Sequence, residues 1–247
     1  MSFRYESDLT AKLVERLPDA FPVPGSMFFA LELSVRSRVV DVAIAETSAE
    51  TLRAESLDGV LVEGLKAVTP AQNVILSLVG LKETVSVHGL IQQTGLRAEE
   101  LTTRYLGPLM DQNLVERASR YRYRQTGWVQ LCPRSVIAIE AKLTKPVEAL
   151  QQATWNQRFA DYSFVALPNP CPHMTTEIRN RYSGSGIGVL LVGDDGSILT
   201  QLHGRKNRGM SKMLNLSVRL SALCGFLRRD QKWSTLRADS TSNEVMQ

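Results

Sequence analysis

The sequence predicts a mixed α/β protein in which helices flank a central mixed sheet and a small helical unit is inserted. Two apolar, β-branched runs, residues 38–45 and 136–139, have the length and composition of buried strands. A segment with helical spacing follows the second run and leads into a third apolar run at residues 162–167. Strands that alternate with helices favour a sheet covered by helices. Residues 61–127 instead contain three helical segments and a pair of short strands.

Length and composition limit the class of protein. The chain has 247 residues and 43% hydrophobic content, enough for one sizeable core and a small second domain. It contains no run of eighteen apolar residues and no apolar signal region near Met1, so we expect a cytoplasmic protein without a membrane partner. The net charge of +4 and the pI near 9.0 indicate an anionic partner, although only weakly.

The three cysteines, Cys132, Cys171 and Cys224, are scattered along the chain and match neither a metal-ligand spacing nor a disulfide framework. Cys132 or Cys171 could act as a nucleophile, but buried thiols are the favoured interpretation.

Acidic and basic residues interrupt two of the predicted strands. Glu140 and Lys142 end the run that begins at Ser135, and alternation along a strand places both on one face, with Ala141 on the other. Asp41 lies inside the other run, where an unpaired carboxylate costs several kcal/mol unless a cation meets it. Glu140 and Lys142 form either a structural ion pair or part of a catalytic site.

The order of these residues resembles the PD-(D/E)xK nuclease superfamily. Asp41 stands on one strand, Glu140-Ala141-Lys142 on the next, and a helix with Gln152 follows. The resemblance covers about residues 1–60 and 128–203. Members commonly join the two strands by a short hairpin, whereas Asp41 and Glu140 are about a hundred residues apart here. We therefore expect residues 61–127 to be an inserted domain.

The resemblance implies a restriction-endonuclease-like fold and a metal-dependent endonuclease that cuts DNA. Asp41, Glu140 and the carbonyl of Ala141 would hold Mg²⁺, with Mn²⁺ as a substitute, and oxygen ligands suit both ions. Lys142 would orient or deprotonate the attacking water, or stabilise the transition state electrostatically.

The resemblance also implies two auxiliary residues. Glu6, in the first turn of a helix predicted over residues 5–17, would add a metal contact; Glu15 is a weaker candidate, and the alternative for Glu6 is an acid favoured by the helix dipole. Gln152 would lie near the metal site as an orienting or phosphate-contacting group, with Gln151 as its neighbouring alternative.

The inserted residues resemble a winged helix-turn-helix domain. Helices are predicted from Pro70 to Gly80, over residues 86–93 and over residues 97–111, and residues 113–126 are predicted to form a strand, a turn and a returning strand. In such a domain the third helix lies in the major groove of DNA.

The candidate DNA contacts lie on two elements of this unit. Thr102, Thr103 and Arg104 belong to the third helix. The wing carries Arg120, Arg122 and Arg124, which an extended strand would place on one face, with Tyr121 and Tyr123 on the other. Glu99 and Glu100 near the helix start would repel phosphate, so a protein partner for the winged domain stays open, as does a homodimer.

Residues 204–247 are predicted to be a basic helical tail, helical over residues 213–227 and disordered beyond Arg237. It would wrap a nucleic-acid backbone or be a solvated terminal helix.

The main alternatives to an endonuclease are a non-cleaving DNA-binding regulator on a nuclease fold and a protein-interaction scaffold. The intact set of Asp41, Glu140 and Lys142 favours the enzyme.

Overall fold

The computed structural model describes residues 3–21, 26–36, 38–47, 59–228 and 234–237. Its helices are α1 (Glu6–Glu15), α2 (Leu17–Ala20), α3 (Gly59–Ala67), α4 (Pro70–Gly80), α5 (Val87–Thr94), α6 (Ala98–Glu100), α7 (Gly107–Asp111), α8 (Pro146–Asn156), α9 (Thr176–Ser185) and α10 (Lys212–Arg228). Its strands are β1 (Ser26–Val35), β2 (Arg38–Thr47), β3 (Val85–Ser86), β4 (Val115–Ser119), β5 (Arg122–Gln125), β6 (Ser135–Ala141), β7 (Tyr162–Pro168), β8 (Gly188–Val192), β9 (Ile198–Leu202) and β10 (Ser234–Arg237).

The larger sheet has seven strands in the order β10-β1-β2-β6-β7-β8-β9. The β6, β7 and β8 strands are parallel, and all other neighbours in this sheet are antiparallel. The predicted mixed α/β class, with a mixed sheet between helices, is confirmed.

Helices cover both faces of this sheet because each face is apolar. On one face, Leu9 and Leu13 of α1 pack with Ile137 and Ile139 of β6. On the other, Val218 and Ala222 of α10 belong to the same cluster as Val136 and Ala138. The crossover helix α8 packs on β6 and β7 and buries Ala149, Leu150 and Ala153 against β7 and β8. One end of β6 therefore lies between α1 and α8.

The segment between β2 and β6 forms a second sheet, of three strands in the order β3-β5-β4. Two of its helices begin where predicted: Thr69 and Gln72 form a capping box at the start of α4, and the Ser86 hydroxyl caps α5. The α3 helix, which precedes them, was not predicted. The third predicted helix is interrupted, since α6 and α7 are joined by a π-helical stretch, Leu101–Leu106. The segment has its own apolar cluster, which includes Leu76, Leu90 and Leu109.

The C-terminal helix does not behave as a solvated tail. The α10 segment is helical, as predicted. Its buried residues Leu216, Leu220 and Leu223 belong to the apolar cluster of the small-sheet segment. Val218 and Ala222 are buried against the large sheet. Its apolar residues face two partners, so α10 is part of the interior. The rest of the predicted tail beyond residue 228, apart from β10, lies outside the described residues.

Among the helices of the described ranges, none has the length and apolar character that a membrane crossing requires.

Candidate active site

Asp41 and Glu140 meet where β2 and β6 separate. The ladder between these strands ends at the pair Val42–Ile139. Beyond it, the Asp41 carboxylate accepts a hydrogen bond of 2.8 Å from the backbone N–H of Ala141, 100 positions away in sequence. A side-chain oxygen thus takes the place of a backbone acceptor, and it fixes the Asp41 carboxyl group beside Glu140.

The pleat of β2 changes phase at Asp41. Val40 and Ala43 face the same apolar cluster, although strict alternation would place Val40 and Val42 together. The paired strand changes phase at the same level, next to Glu32, whose φ of 49° is left-handed and strained for a residue with a Cβ. This local distortion turns Asp41 away from both apolar faces and toward β6.

Lys142 approaches the site from the side of α1. The β6 strand ends at Ala141, and the Lys142 ammonium donates to the Glu6 carboxylate at 3.0 Å. The Lys142 side chain is only 12% exposed. Glu140 points instead to α8, so the expectation that Glu140 and Lys142 project from one face is wrong, because Lys142 lies beyond the strand end and its side chain is free to reach α1.

Asn156 is a fifth member of the site that was not predicted from the sequence. Its side chain is 1% exposed, and its Nδ2 donates to Glu140 Oε1 at 2.6 Å. Asn156 follows Gln152 by four residues on α8, so the two lie on one helix face. Gln152 Oε1 is buried without a hydrogen-bond partner among the described residues. The i, i+4 spacing from Gln152 was the available signal for Asn156.

Burial has the largest effect on the pKa values of Asp41 and Glu140. It raises the pKa of Glu140 to about 7, and the neighbouring Asp41 acts in the same direction, against the hydrogen bond from Asn156. Burial also raises the pKa of Asp41, against the hydrogen bond from the Ala141 N–H. The two carboxyl groups are within hydrogen-bonding reach of each other, and a pKa of about 7 leaves Glu140 partly protonated at neutral pH.

The same surroundings keep Lys142 charged. Burial alone would lower its pKa, but the hydrogen bond to Glu6 and the nearby Asp41 and Glu140 carboxylates outweigh burial and raise the pKa above its ordinary value. Lys142 is therefore an ammonium ion at neutral pH.

The donor set fits Mg²⁺ or Mn²⁺ better than a softer ion. No group of three His, Cys, Asp or Glu side chains arranged for a metal occurs within the described ranges. Mg²⁺, however, is commonly held by one or two carboxylates and keeps several waters. Asp41 and Glu140 supply two carboxylates, and burial raises the pKa of both, so each carries its negative charge at a free-energy cost that a bound cation would offset. Glu6, expected as a further ligand, is engaged with Lys142 instead.

The weaker candidates lie elsewhere. Glu15 pairs with Lys12 on the surface of α1, and Gln151 is exposed. Cys132 is buried, and burial raises the pKa of its thiol to about 12, which disfavours the nucleophilic thiolate.

The candidate DNA contacts of the third helix lie on the π-helical stretch. The hydroxyl groups of Thr102 and Thr103 donate to carbonyl oxygens of the preceding turn. Arg104 is exposed and forms an ion pair of 3.6 Å with Glu100. Thr103 and Arg104 are exposed and Thr102 is partly buried.

The wing arginines do not form the single face that was predicted. Arg120 lies in the turn between β4 and β5, over the ring of Tyr121, because the strands end at Ser119 and begin again at Arg122. Arg122 donates to the Thr84 hydroxyl at 2.7 and 2.9 Å, and Arg124 donates to Glu116 at 2.6 Å. Tyr123 is buried whereas Tyr121 is exposed. All three arginines are nevertheless exposed.

The chain matches no protein-family model, and neither the curated proteins nor the solved structures include a significant match. Its function must therefore be inferred from the chemistry of the site itself.

Proposed function

We propose that this protein is a metal-dependent endonuclease that hydrolyses phosphodiester bonds of DNA. One observation carries the proposal: two carboxyl groups, Asp41 and Glu140, and the Lys142 ammonium meet at one end of the larger sheet, although about a hundred residues separate Asp41 from the other two. Burying like charges together costs free energy, so a stability role alone does not account for the pair.

Asp41 and Glu140, with the carbonyl oxygen of Ala141, would hold Mg²⁺, or Mn²⁺ in its place. Such an ion supplies a Lewis acid that stabilises negative charge on the phosphate and lowers the pKa of a bound water. Asn156 would hold the Glu140 carboxylate in position through its hydrogen bond of 2.6 Å. The buried, unpaired oxygen of Gln152 on the same face of α8 supplies a further acceptor for a water or a proton donor.

The protonation state of Lys142 favours one of its expected roles, electrostatic stabilisation of the transition state, over deprotonation of the attacking water. Because its raised pKa keeps it protonated, it is poorly suited to take a proton from water. Its ammonium group is instead suited to stabilise the charge that develops on the phosphate, and Glu6 would orient it.

The sheet order and the middle segment support the finer parts of the proposal. An antiparallel β1-β2-β6 arrangement that continues into parallel β6-β7, with the acids on β2 and β6, is compatible with a restriction-endonuclease-like core. Helical segments followed by the β4–β5 hairpin are typical of a winged helix-turn-helix domain. We propose that this segment brings the enzyme to DNA.

The test is a cleavage assay with purified full-length protein. Plasmid, linear duplex and single-stranded DNA, and RNA, are each incubated with Mg²⁺, Mn²⁺ or EDTA. We expect DNA to be cut only with a metal ion, and we expect Asp41→Asn, Glu140→Gln and Lys142→Met to reduce the rate by at least about a hundredfold. These variants keep the size of the side chains, and in Asp41→Asn the amide oxygen would still accept the Ala141 N–H.

Matched controls separate a catalytic effect from a general one. Glu15→Gln and Lys12→Met remove the same charges from an ion pair on the surface of α1 and should cut at the wild-type rate. DNA that is retarded in a gel but never cut would contradict the enzyme and favour a non-cleaving regulator. Absence of both binding and cleavage would favour a protein-interaction scaffold.

A further inference from the structure

Three residues before Asp41, at the start of β2, an arginine lies over an aromatic ring of α8. Arg38 is the first residue of β2, and its guanidinium lies 5.6 Å from the ring centroid of Trp155 on α8. Trp155 is partly buried and is itself held at an angle of 63° against the ring of Phe159. The aromatic platform is therefore fixed by the core.

The position of Arg38 relative to the site follows from the strand and the helix. Asp41 comes three residues after Arg38, a separation of about 10 Å along a strand. Trp155 immediately precedes Asn156, which bonds to Glu140. The ladder of β2 with β6 starts only at Val42, and the contact of Asp41 with β6 is made by its side chain, so the backbone of β2 from Arg38 to Val40 has no partner in β6. An extended chain of phosphates could therefore run past Arg38 to Asp41.

Within the described ranges, no acidic side chain neutralises the charge of Arg38. Arg38 is exposed and forms no ion pair with any residue in the described part of the chain. In this it differs from Arg104 and Arg124, which are paired with Glu100 and Glu116. Stacking on an indole ring restricts the rotamers of an arginine while leaving its N–H groups free to donate. Such a group is prepared in advance to bind a phosphate bidentately.

We propose that Arg38, held on Trp155, binds a backbone phosphate of the nucleic acid beside the phosphate that is cut. The proposal rests on the proposed function for the identity of the neighbouring site. It adds a substrate-binding residue outside the acids, the lysine and the winged segment. Since the contact is made to the backbone, it is independent of base sequence.

The test measures binding and cleavage separately in the full-length protein. Fluorescence anisotropy in EDTA gives the Kd for a labelled duplex over a range of salt concentrations, and steady-state cleavage with Mg²⁺ gives KM and kcat. For Arg38→Ala we expect the slope of log affinity against log salt to fall by about 0.9. We expect KM to rise about tenfold or more, with kcat changed by less than about twofold, because the contact is present before and during the reaction.

Two further variants test the role of the ring. Arg38→Lys keeps the charge but loses the planar fork, and should keep the salt slope while KM rises by less than in Arg38→Ala. Trp155→Leu keeps Arg38 but removes its platform, and should raise KM without changing the salt slope. Arg38→Lys involves an exposed position, so it stays informative even if Trp155→Leu fails to fold.

The control is Arg181→Ala, which removes one exposed positive charge from α9. If Arg38→Ala and Arg181→Ala give the same salt slope and the same KM, the proposal is overturned while the endonuclease stands. A fall in kcat with unchanged KM would also overturn it, since Arg38 would then not bind the ground-state phosphate. If the wild-type protein cuts nothing, the proposed function fails, and the salt slope alone decides whether Arg38 contacts phosphate.

Discussion

At the scale of single residues, the chemistry of the site depends on where one proton lies. Glu140 is 2% exposed and shares its surroundings with Asp41, so full ionisation of both is costly until a cation arrives. Binding of the proposed metal ion would displace a proton from Glu140, so we expect metal affinity to rise with pH through neutrality. Two carboxylates that are unfavourable without a cation and stabilised by one are the arrangement that a cation-binding site requires.

The raised pKa of Glu140 has a consequence for stability without metal. In the folded protein Glu140 takes up a proton near pH 7, whereas in the unfolded chain it does so near its ordinary value of 4.5. The folded state therefore holds more protons between these values, and the stability from this group is complete below pH 4.5 and is lost as pH rises through about 7. Relative to Glu140→Gln, the wild-type free energy of unfolding should fall by up to roughly 3 kcal/mol across this range.

Urea unfolding in EDTA at several pH values checks this expectation. Glu140→Gln keeps an acceptor for Asn156 but cannot ionise, so its stability should vary less with pH. Parallel pH profiles for the two proteins would show that Glu140 titrates normally. Asp41, whose pKa shifts in the same direction, should leave a residual slope in the variant.

At the scale of elements, each of three neighbours contributes one part of the site. The β2 strand contributes Asp41 through a distortion of its pleat, α1 contributes Glu6, and α8 contributes Asn156. Most strands and helices were predictable, because β-branched runs, helical spacing and the capping residues at Thr69 and Ser86 are local signals, whereas α3 and the π-helical stretch Leu101–Leu106 were not predicted. The shift in pleat at Asp41 was not predictable, because it depends on Glu32 of the neighbouring strand.

Asn156 provides the prediction that belongs to α8. Asn156→Ala removes the donor to Glu140 Oε1 and should raise the pKa of Glu140 further, since that hydrogen bond opposes the effect of burial. Mn²⁺ affinity at pH 7, followed by electron paramagnetic resonance, should fall about ten- to a hundredfold. The loss should be smaller at pH 8.5, where Glu140 ionises without help. Asn180→Ala, an exposed position on α9, is the control and should bind Mn²⁺ normally. Equal affinity for all three proteins would exclude a positioning role.

The wing provides a second prediction at this scale. Replacing Arg120, Arg122 and Arg124 together with alanine should weaken DNA binding and reduce its salt slope, by about 0.9 for each phosphate contact that is lost. Arg122 is bonded to Thr84 and Arg124 to Glu116 in the free protein. The full reduction is expected only if both arginines give up these partners and bind phosphates in the complex. Anisotropy titrations over salt measure the slope, and Mn²⁺ affinity should not change because the wing belongs to the smaller sheet. An unchanged slope would mean that other residues carry DNA contact.

At the scale of the whole molecule, α10 joins the two sheets. Beyond its apolar contacts, the Asn73 amide donates to the Ser217 carbonyl at 3.1 Å, and the Ser217 hydroxyl donates back to Asn73 at 2.7 Å. Asn215 of the same helix donates to the Asp161 carboxylate. The same carboxylate accepts a hydrogen bond from the backbone N–H of Val136 in β6. This role of α10 was not predicted, because helical spacing shows that a helix has a buried side and does not show what buries it.

A shared helix predicts that the two sheets unfold together. Leu220 is fully buried in the cluster of the smaller sheet, and Leu220→Ala should lower the free energy of unfolding by about 2–5 kcal/mol. Because the other side of α10 packs on the larger sheet, amide exchange should accelerate in β6 and β7 as well as in α4. Leu199→Ala, at a position that is 56% exposed on β9, should change stability by less than about 0.5 kcal/mol. If Leu220→Ala accelerates exchange only in residues 59–131, that segment unfolds independently, and α10 stabilises the larger sheet without coupling it to the segment proposed to bind DNA.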